Sequence, residues 1–291
     1  MKPTSQARAE GSKEFDFTMR DFERVRTLIH QRAGIALASS KQEMVYSRLA
    51  RRLRATGINS FSAYLDSLER GTNVEEWEAF TNALTTNLTS FFREAHHFPI
   101  LAEHLKKISG PIEIWCSASS TGEEPYSIAM TACEAFNTLT PPVKIIATDI
   151  DTNVLNTAAH GVYPIDRLSK MEPARSRKFF LRGKGVQAGL VRVRPELREM
   201  ITFKQVNLLG DSWGLSGQFD VIFCRNVMIY FDKPTQGKIL DRFAPMMKPD
   251  GLLFAGHSEN FLYVCNAFKL RGKTVYELNQ GAGAAAVKVK P

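Results

Sequence analysis

Several short stretches of this 291-residue chain carry residues whose types and order suit ligand chemistry. The stretch WCSASSTGEEPY, residues 115–126, follows an apolar run, and its small residues let a ligand approach backbone N–H groups. A dinucleotide site would place G-x-G-x-x-G here and an ATP site a Walker lysine, and the chain has neither, which disfavours NAD and ATP. Taken alone, the stretch is equally a structural strand-to-helix turn. Asp149 closes the next β-rich run, where a carboxylate can accept both ribose hydroxyls of an adenosine. The alternative is that Asp149 and Asp151 cap the following helix, and for Asp151 that alternative is preferred. Asn207 follows a third run with Leu208 and Leu209 beside it, the amide and apolar groups that an adenine slot needs; chance also explains a single asparagine. Arg225 and Asn226 end a fourth, apolar run, an unusual place for polar groups in a plain core. Tyr230 either points into such a site or packs under it. His257 and Glu259 suggest acid–base chemistry or, equally, hydrogen-bonded residues at a strand end.

Metal chemistry is not expected. His96, His97 and His104, with Glu94, match no standard ligand spacing. Cys116, Cys133, Cys224 and Cys265 lie far apart without a C-x-x-C, so neither a zinc site nor a disulfide framework is indicated. Lys plus Arg number 38 against 30 Asp plus Glu, a net charge of +8. That surplus favours an acidic partner: nucleic acid, an anionic membrane or an acidic protein surface. Much of it sits in one helix, at Lys41, Arg48, Arg51, Arg52 and Arg54, which reads as a solvated face or a docking surface.

The elements that must position these residues fall into two grammars. Hydrophobic residues at 44% and charged residues at 23% describe an ordinary globular chain. At roughly 100–200 residues per domain, two domains are expected. The polar start to about residue 14 reads as disordered, without the apolar core of a secretory signal. No apolar run approaches the ~20 residues of a membrane span, so a soluble protein of a reducing compartment is expected. Helical periodicity then places Phe22, Val25, Leu28 and Ile29 on one face, with Gly34 as a stop. Ser40 and Glu43 have capping-box spacing before a second helix carrying Val45, Leu49 and Leu53. A third helix starts at Ser60, and a fourth carries Val74, Trp77, Phe80 and Leu84. These make an all-α domain over residues 15–85. A linker and connecting helix occupy 86–110, the helix carrying Phe98, Leu101, Leu105 and Ile108.

From residue 112 strands and helices alternate, with strands expected at 112–117, 143–147, 201–206, 219–224 and 251–255. A helix is expected around 236–247 and a closing antiparallel pair at 268–271 and 274–278. This is an α/β, doubly wound pattern over 111–280, with ligands at the strand carboxyl ends. From Asp149 to Ile201 the chain exceeds what one helix requires, and residues 164–200 are set apart as an insert. There 178–182 and 190–194 flank a glycine-containing loop, read as a small antiparallel β insert with 190–194 as its exposed edge. The tail GAGAAAVKVKP is low-complexity and expected to be loose.

Taken in order, TNLTSFFRE, ASSTGEEPYS, ATDID, VNLL, FDVIFCRNVMIYF and KPDGLLFAGHSEN resemble the chemotaxis receptor glutamate O-methyltransferases, the CheR family, from about Phe22 to Leu278. The resemblance implies an S-adenosylmethionine-dependent methyltransferase fold with an all-α N-terminal domain and a β insert. It implies S-adenosylmethionine as cofactor, S-adenosylhomocysteine as product, and glutamate side chains in the cytoplasmic helices of chemoreceptors as substrate. Carried over by motif, cofactor contacts fall on Asn87, Thr89, Arg93, Glu124, Asp149, Asn207, Leu208, Arg225 and Asn226. Arg93 and Tyr230 fall closest to the methyl transfer; His257 and Glu259 match signature positions without an assigned role.

The resemblance further implies a cytoplasmic protein, here expected to be monomeric, that neither inserts in the membrane nor takes nucleic acid as partner. The glutamate-rich receptor helices complement the cationic Arg48, Arg51, Arg52 and Arg54. Some members of the family hold a receptor's C-terminal peptide on the insert, for which Arg182, Lys184, Arg192 and Arg194 are the candidates here. Two rivals stand beside this reading: a nucleic-acid methyltransferase and a non-catalytic module that senses S-adenosylmethionine. Against the first, adenine N-methylation usually shows Asn/Asp-Pro-Pro-aromatic after the fourth strand, where this chain has Cys224, Arg225, Asn226 and Val227.

Overall fold

A capping box opens the first helix: Thr18 Oγ1 accepts the Asp21 N–H at 3.2 Å and Asp21 Oδ2 accepts the Thr18 N–H at 3.0 Å. Helix α1, Met19–Ala33, buries Phe22, Val25, Leu28 and Ile29, and ends at Gly34 with a left-handed φ of 69°. A Cβ at Gly34 would lie 2.6 Å from Leu209 and 2.9 Å from Phe231, so the missing side chain lets the helical domain approach the rest of the molecule. The structure, a computed structural model, describes residues 13–279. Of the start expected to be disordered to about residue 14, residues 1–12 lie outside the described residues, as does the GAGAAAVKVKP tail at 281–291, whereas Lys13 and Glu14 are ordered by pairing with Glu43 and Arg54.

Helices α2, Gln42–Thr56, α3, Phe61–Glu69, and α4, Val74–Leu84, complete the helical domain. Ser60 and Asn73 cap α3 and α4 through their side chains. The capping box expected at Ser40 and Glu43 does not form. Ser39–Lys41 make a 3-10 turn that takes Ser40 out of the capping position, α2 starts after Lys41 without a side-chain cap, and Glu43 pairs instead with Lys13 at 2.6 Å. Val74 is exposed rather than part of the apolar stripe of α4, whose buried face is Glu76, Phe80, Thr81 and Leu84. The four helices enclose a core of Phe22, Leu49, Leu53, Phe61, Tyr64 and Phe80.

Residues 85–96 carry no regular element before α5, His97–Leu105. Ile108 lies beyond the end of that helix but packs, partly buried, against the main core. The alternating pattern then folds as β1, Ile112–Cys116; α6, Glu123–Ala135; β2, Val143–Asp149; α7, Thr152–His160; β3, Val162–Pro164; α8, Pro173–Phe179; and β4, Phe180–Arg182. It continues as β5, Leu190–Val193; α9, Pro195–Glu199; β6, Ile201–Gln205; β7, Phe219–Cys224; α10, Lys233–Phe243; β8, Met247–Ala255; β9, Phe268–Gly272; and β10, Val275–Leu278. The expected helix at 236–247 overran its end: α10 stops at Phe243, residues 244–246 tighten into a 3-10 turn, and Met247 already begins β8.

Among the described residues the main sheet has seven strands in the order β6-β2-β1-β7-β8-β10-β9. The first five are parallel; β10 and β9 add antiparallel. Every residue of β7 is buried, as a central strand covered on both faces requires. The chain leaves β1 toward β2 on one side, and β7 pairs with β1 on the other. The carboxyl ends of β1 and β7 therefore diverge into a crevice at a topological switch point, the usual ligand position in an open α/β sheet.

A second sheet has the order β3-β5-β4, all antiparallel. Here the expectation for the insert is corrected. Residues 190–193 form the central strand, because β3 pairs along its other side, and the free edges belong to β3 and β4. The sheet also starts before the expected insert, at Val162.

Candidate functional site

The linker and the carboxyl ends of β1, β2 and β7 enclose a cleft of about 290 Å³, the scale of a small-molecule site. Asn87, Thr89, Arg93, Glu124, Asp149, Asn207, Leu208, Arg225, Asn226 and Tyr230 all line it. Residues from five separated motifs thus meet in one cavity. Its far wall comes from the helical domain, where Ile35, Ala36, Leu37, Lys41 and Met44 contribute. Sequence reasoning missed that wall. The only local sign is Gly34, since the contact of Ala36 N–H with the Tyr230 carbonyl at 2.9 Å is purely main-chain.

Asp149 is 9% exposed at the end of β2. Its Oδ2 accepts the Ser120 N–H at 2.8 Å and its Oδ1 accepts the Asp151 N–H at 3.0 Å. Burial still pushes its carboxyl up, to about 6, against those bonds. Asp151 caps α7, as preferred: Oδ1 accepts the N–H groups of Asn153 and Val154. Its Oδ2 accepts from Thr85 Oγ1 at 2.7 Å and Asn87 Nδ2 at 2.8 Å, so the linker hangs on the same carboxylate. Asn207 lies two residues beyond the end of β6. Its Nδ2 donates to the Arg32 carbonyl at 2.7 Å and its Oδ1 accepts from the Leu209 N–H at 3.0 Å. Its amide thus already joins the two domains, and Leu208 beside it is buried.

The charged centre is Arg225, whose side chain is fully buried. Nη2 donates to the Arg93 carbonyl at 2.5 Å. Glu94 Oε2 lies 3.5 Å from Nη2, and Glu124 Oε2 lies 3.3 Å from Nη1. The two carboxyls are pulled in opposite directions. Burial pushes Glu124 up, more than Arg225 offsets, and it accepts from Cys116 Sγ at 3.3 Å. Burial also works against the charge of Glu94, but the His257 N–H and Arg225 outweigh it and hold that carboxyl below the usual range. Arg225 Nε and Nη1 are buried with no hydrogen-bond partner.

Arg93 is half-buried; its Nη1 donates to the Leu88 carbonyl at 2.8 Å, and among the described residues it makes no ion pair. Glu259 is no free acid or base: its carboxylate accepts the N–H groups of Asn226, Val227, Met228 and Gly256 at 2.5–2.9 Å. That fixes the turn after β7, including Asn226 at a left-handed φ of 59°. His257 is exposed, outside the cleft lining, and offers its backbone N–H to Glu94.

The arginines expected to dock substrate do not form a uniform free face. Arg48 donates to the Ala83 carbonyl at 3.3 Å and also to the Thr85 carbonyl. Arg52 pairs with Glu76 at 2.6 Å, and Arg54 with Glu14 at 2.9 Å. Arg51 is exposed and has no ion pair among the described residues. In the small sheet, Arg182, Lys184 and Arg192 are exposed, whereas Arg194 Nε is held by the Lys178 carbonyl at 2.8 Å.

A doubly wound sheet whose switch-point crevice offers a buried guanidinium, an aspartate ending β2 and an apolar wall at Leu208 and Phe231 defines a protein of the nucleoside-cofactor-binding class. Comparison with known proteins is specific. Residues 87–276 match the family description "CheR methyltransferase, SAM binding domain", and residues 20–85 match "CheR methyltransferase, all-alpha domain". The chain belongs to the CheR methyltransferase family. The Chemotaxis protein methyltransferase of Salmonella typhimurium is 56% identical over 259 residues, covering 89% of this chain and 90% of that protein. Chemotaxis protein methyltransferase 2 of Pseudomonas aeruginosa is 51% identical over 269 residues, 91% of this chain and 95% of that protein. The solved glycopeptide N-methyltransferase MtfA, complexed with S-adenosyl-L-methionine, is 12% identical with a TM-score of 0.35, over 59% of this chain and 58% of its own.

Proposed function

We propose that this chain methylates glutamate side-chain carboxylates in the cytoplasmic domains of chemoreceptors, using S-adenosylmethionine and releasing S-adenosylhomocysteine. The observation that carries the proposal is the convergence of all ten motif residues, from Asn87 to Tyr230, on one cleft in a chain of this family. The cleft suits the cofactor chemically. Arg225 Nε and Nη1 lack hydrogen-bond partners, though Nη1 faces Glu124, and they fit the amino acid carboxylate of the cofactor. Asp149 still has lone pairs for ribose hydroxyls, and Leu208 and Phe231 supply an apolar slot. Bound S-adenosylmethionine supplies a methyl group on a positively charged sulfur.

A glutamate carboxylate is already ionised at neutral pH, so the transfer requires no general base. The chain must align the attacking oxygen and keep water from the opposite charges. Arg93, with no carboxylate partner among the described residues, orients the incoming carboxylate or that of the cofactor. The Tyr230 hydroxyl, also without a partner there, supplies a hydrogen bond or a wall.

The same proposal covers the finer assignments. The chain acts as a monomer in the cytoplasm; among the described residues no helix is long and apolar enough to cross a membrane. Its boundaries are a helical domain at 15–85, a linker and connecting helix at 86–110, and a methyltransferase domain at 111–280 with the insert running from Val162 to 200. Receptor helices approach over Arg51. A receptor tail peptide adds to the free edge of β4 through main-chain bonds, near Arg182 and Lys184.

Incubation with methyl-labelled S-adenosylmethionine and receptor fragments should label the receptor, and mild alkali should release the label as methanol. Alkali-stable label, or label in nucleic acid alone, would reject a carboxyl ester; binding without transfer would leave a sensor. Arg93→Ala and Tyr230→Phe should lower transfer far more than they lower the unfolding midpoint. Full turnover by both at saturating cofactor would remove them from the chemistry.

A further inference from the structure

The linker that delivers Asn87, Thr89 and Arg93 has no helix or strand to hold it, yet its backbone is not relaxed. Phe92 and Glu94 both sit at a left-handed φ of 54°, a conformation that non-glycine residues keep only when their surroundings impose it. At Phe92 the N–H donates to Ser127 Oγ at 2.9 Å. At Glu94 the side chain does the holding. Oε1 accepts from Asn226 Nδ2 at 3.2 Å and from the His257 N–H at 3.1 Å. Oε2 faces Arg225 Nη2 at 3.5 Å and His97 Nδ1 at 3.8 Å. The same Nη2 donates to the carbonyl of Arg93, one residue before Glu94. One carboxylate therefore ties the linker to the exits of β7 and β8. Glu94 itself does not line the cleft.

We infer that Glu94 is a positioning residue for the transfer: it latches the linker to the strand ends and, through Arg225 and the Arg93 peptide, sets where the Arg93 guanidinium stands. The inference rests on the methyltransferase reading above. Glu124 cannot take over the latch, because it faces Arg225 from α6 and makes no hydrogen bond to the linker.

The test uses the full chain as Glu94→Ala and Glu94→Gln. It measures the thermal midpoint, S-adenosylhomocysteine affinity, and kcat and KM for methylation of a receptor fragment. Gln keeps an oxygen for Asn226 and His257 but loses the charge facing Arg225. In Glu94→Ala, kcat at saturating substrates should fall roughly a hundredfold, the effect of a ~1 Å misplacement, with receptor KM changed far less. Glu94→Gln should lie between Ala and wild type, with a wild-type midpoint. If Ala fails to fold, Gln decides: a lowered kcat supports the latch and an unchanged one overturns it. Unchanged kcat in both folded variants, or a loss confined to S-adenosylhomocysteine affinity, also overturns it. Should the wild type label no receptor fragment, the methyltransferase reading is what fails. Hydrogen–deuterium exchange over residues 88–94 then still reads the latch: faster exchange in Glu94→Ala supports it and unchanged exchange overturns it.

Discussion

Arg225 and Arg51 are the same residue type in opposite settings. Arg225 is buried to 0% between Glu94 and Glu124, and it holds a main-chain carbonyl of the linker. Arg51 is exposed on α2 beside a groove lined by Arg48, Arg52 and Asn82, and no carboxylate answers it among the described residues. A buried charge is fixed by its partners, and removing it strands them. An exposed charge is shared with water and salt, so it acts on encounters more than on stability. The chain thus uses one kind of cation to build a cleft and leaves another at the surface, where the proposed docking would draw on it.

The largest effect should come from Arg225→Met. It leaves the Glu94 and Glu124 carboxyls buried without their cation and should destabilise the fold by about 3–5 kcal/mol. Urea unfolding measures this, and a loss below 1 kcal/mol would place Arg225 with the solvated arginines.

Next is Asp149→Ala, expected to weaken S-adenosylhomocysteine binding by roughly 1.5–3 kcal/mol. Because burial holds Asp149 at about 6 rather than the ordinary 3.8, the folded chain keeps this proton more tightly than the unfolded chain. Its contribution to stability therefore falls as pH rises between those two values and is fully unfavourable above about 6. Unfolding measured against Asp149→Asn should show the variant gaining on wild type over that window. Binding should run the other way, weakening as pH drops through about 6, because the carboxylate is the better acceptor; a flat calorimetric profile would separate Asp149 from the ribose.

Smaller again is Arg52→Ala. It removes the partner of Glu76, which also accepts from Tyr64 Oη at 2.6 Å, and should destabilise by about 1 kcal/mol because the guanidinium stays partly in water. Arg51→Glu should change stability by no more than about 0.5 kcal/mol. It should still slow receptor methylation at low salt while sparing cofactor affinity. Equal effects of the two variants on both readouts would erase the distinction between structural and docking arginines.

These pairings explain what was legible in the sequence. The parallel strands were, because β7 is apolar at both parities and β1 and β2 end in small or acidic residues. Asp149, Asn207, Arg225 and Asn226 were, because each lies at or just beyond a strand end, whereas Asn87, Thr89, Arg93 and Glu124 came only with the family resemblance. The free edge of the insert was not: alternation in 190–193 identifies a strand, but only the remote β3 decides that it is central. Arginine roles on α2 were not legible either, since spacing shows a face and cannot show that Glu76 or the Thr85 carbonyl waits there. The latch role of Glu94, weighed in the sequence only beside the histidines as a metal ligand, was not legible for the same reason. Its partners Asn226 and His257 stand 132 and 163 residues away, and nothing local announces them.

Asp151 has one more consequence. One of its oxygens caps α7 and the other grips Thr85 and Asn87. Any excursion that pulls the linker off this carboxylate also disturbs the first turn of α7, so the two segments share a single opening equilibrium. The amide protons of Asn153 and Val154, remote in sequence from the linker, then become a gauge of it: their exchange with solvent should slow in step with residues 85–87 as cofactor is added.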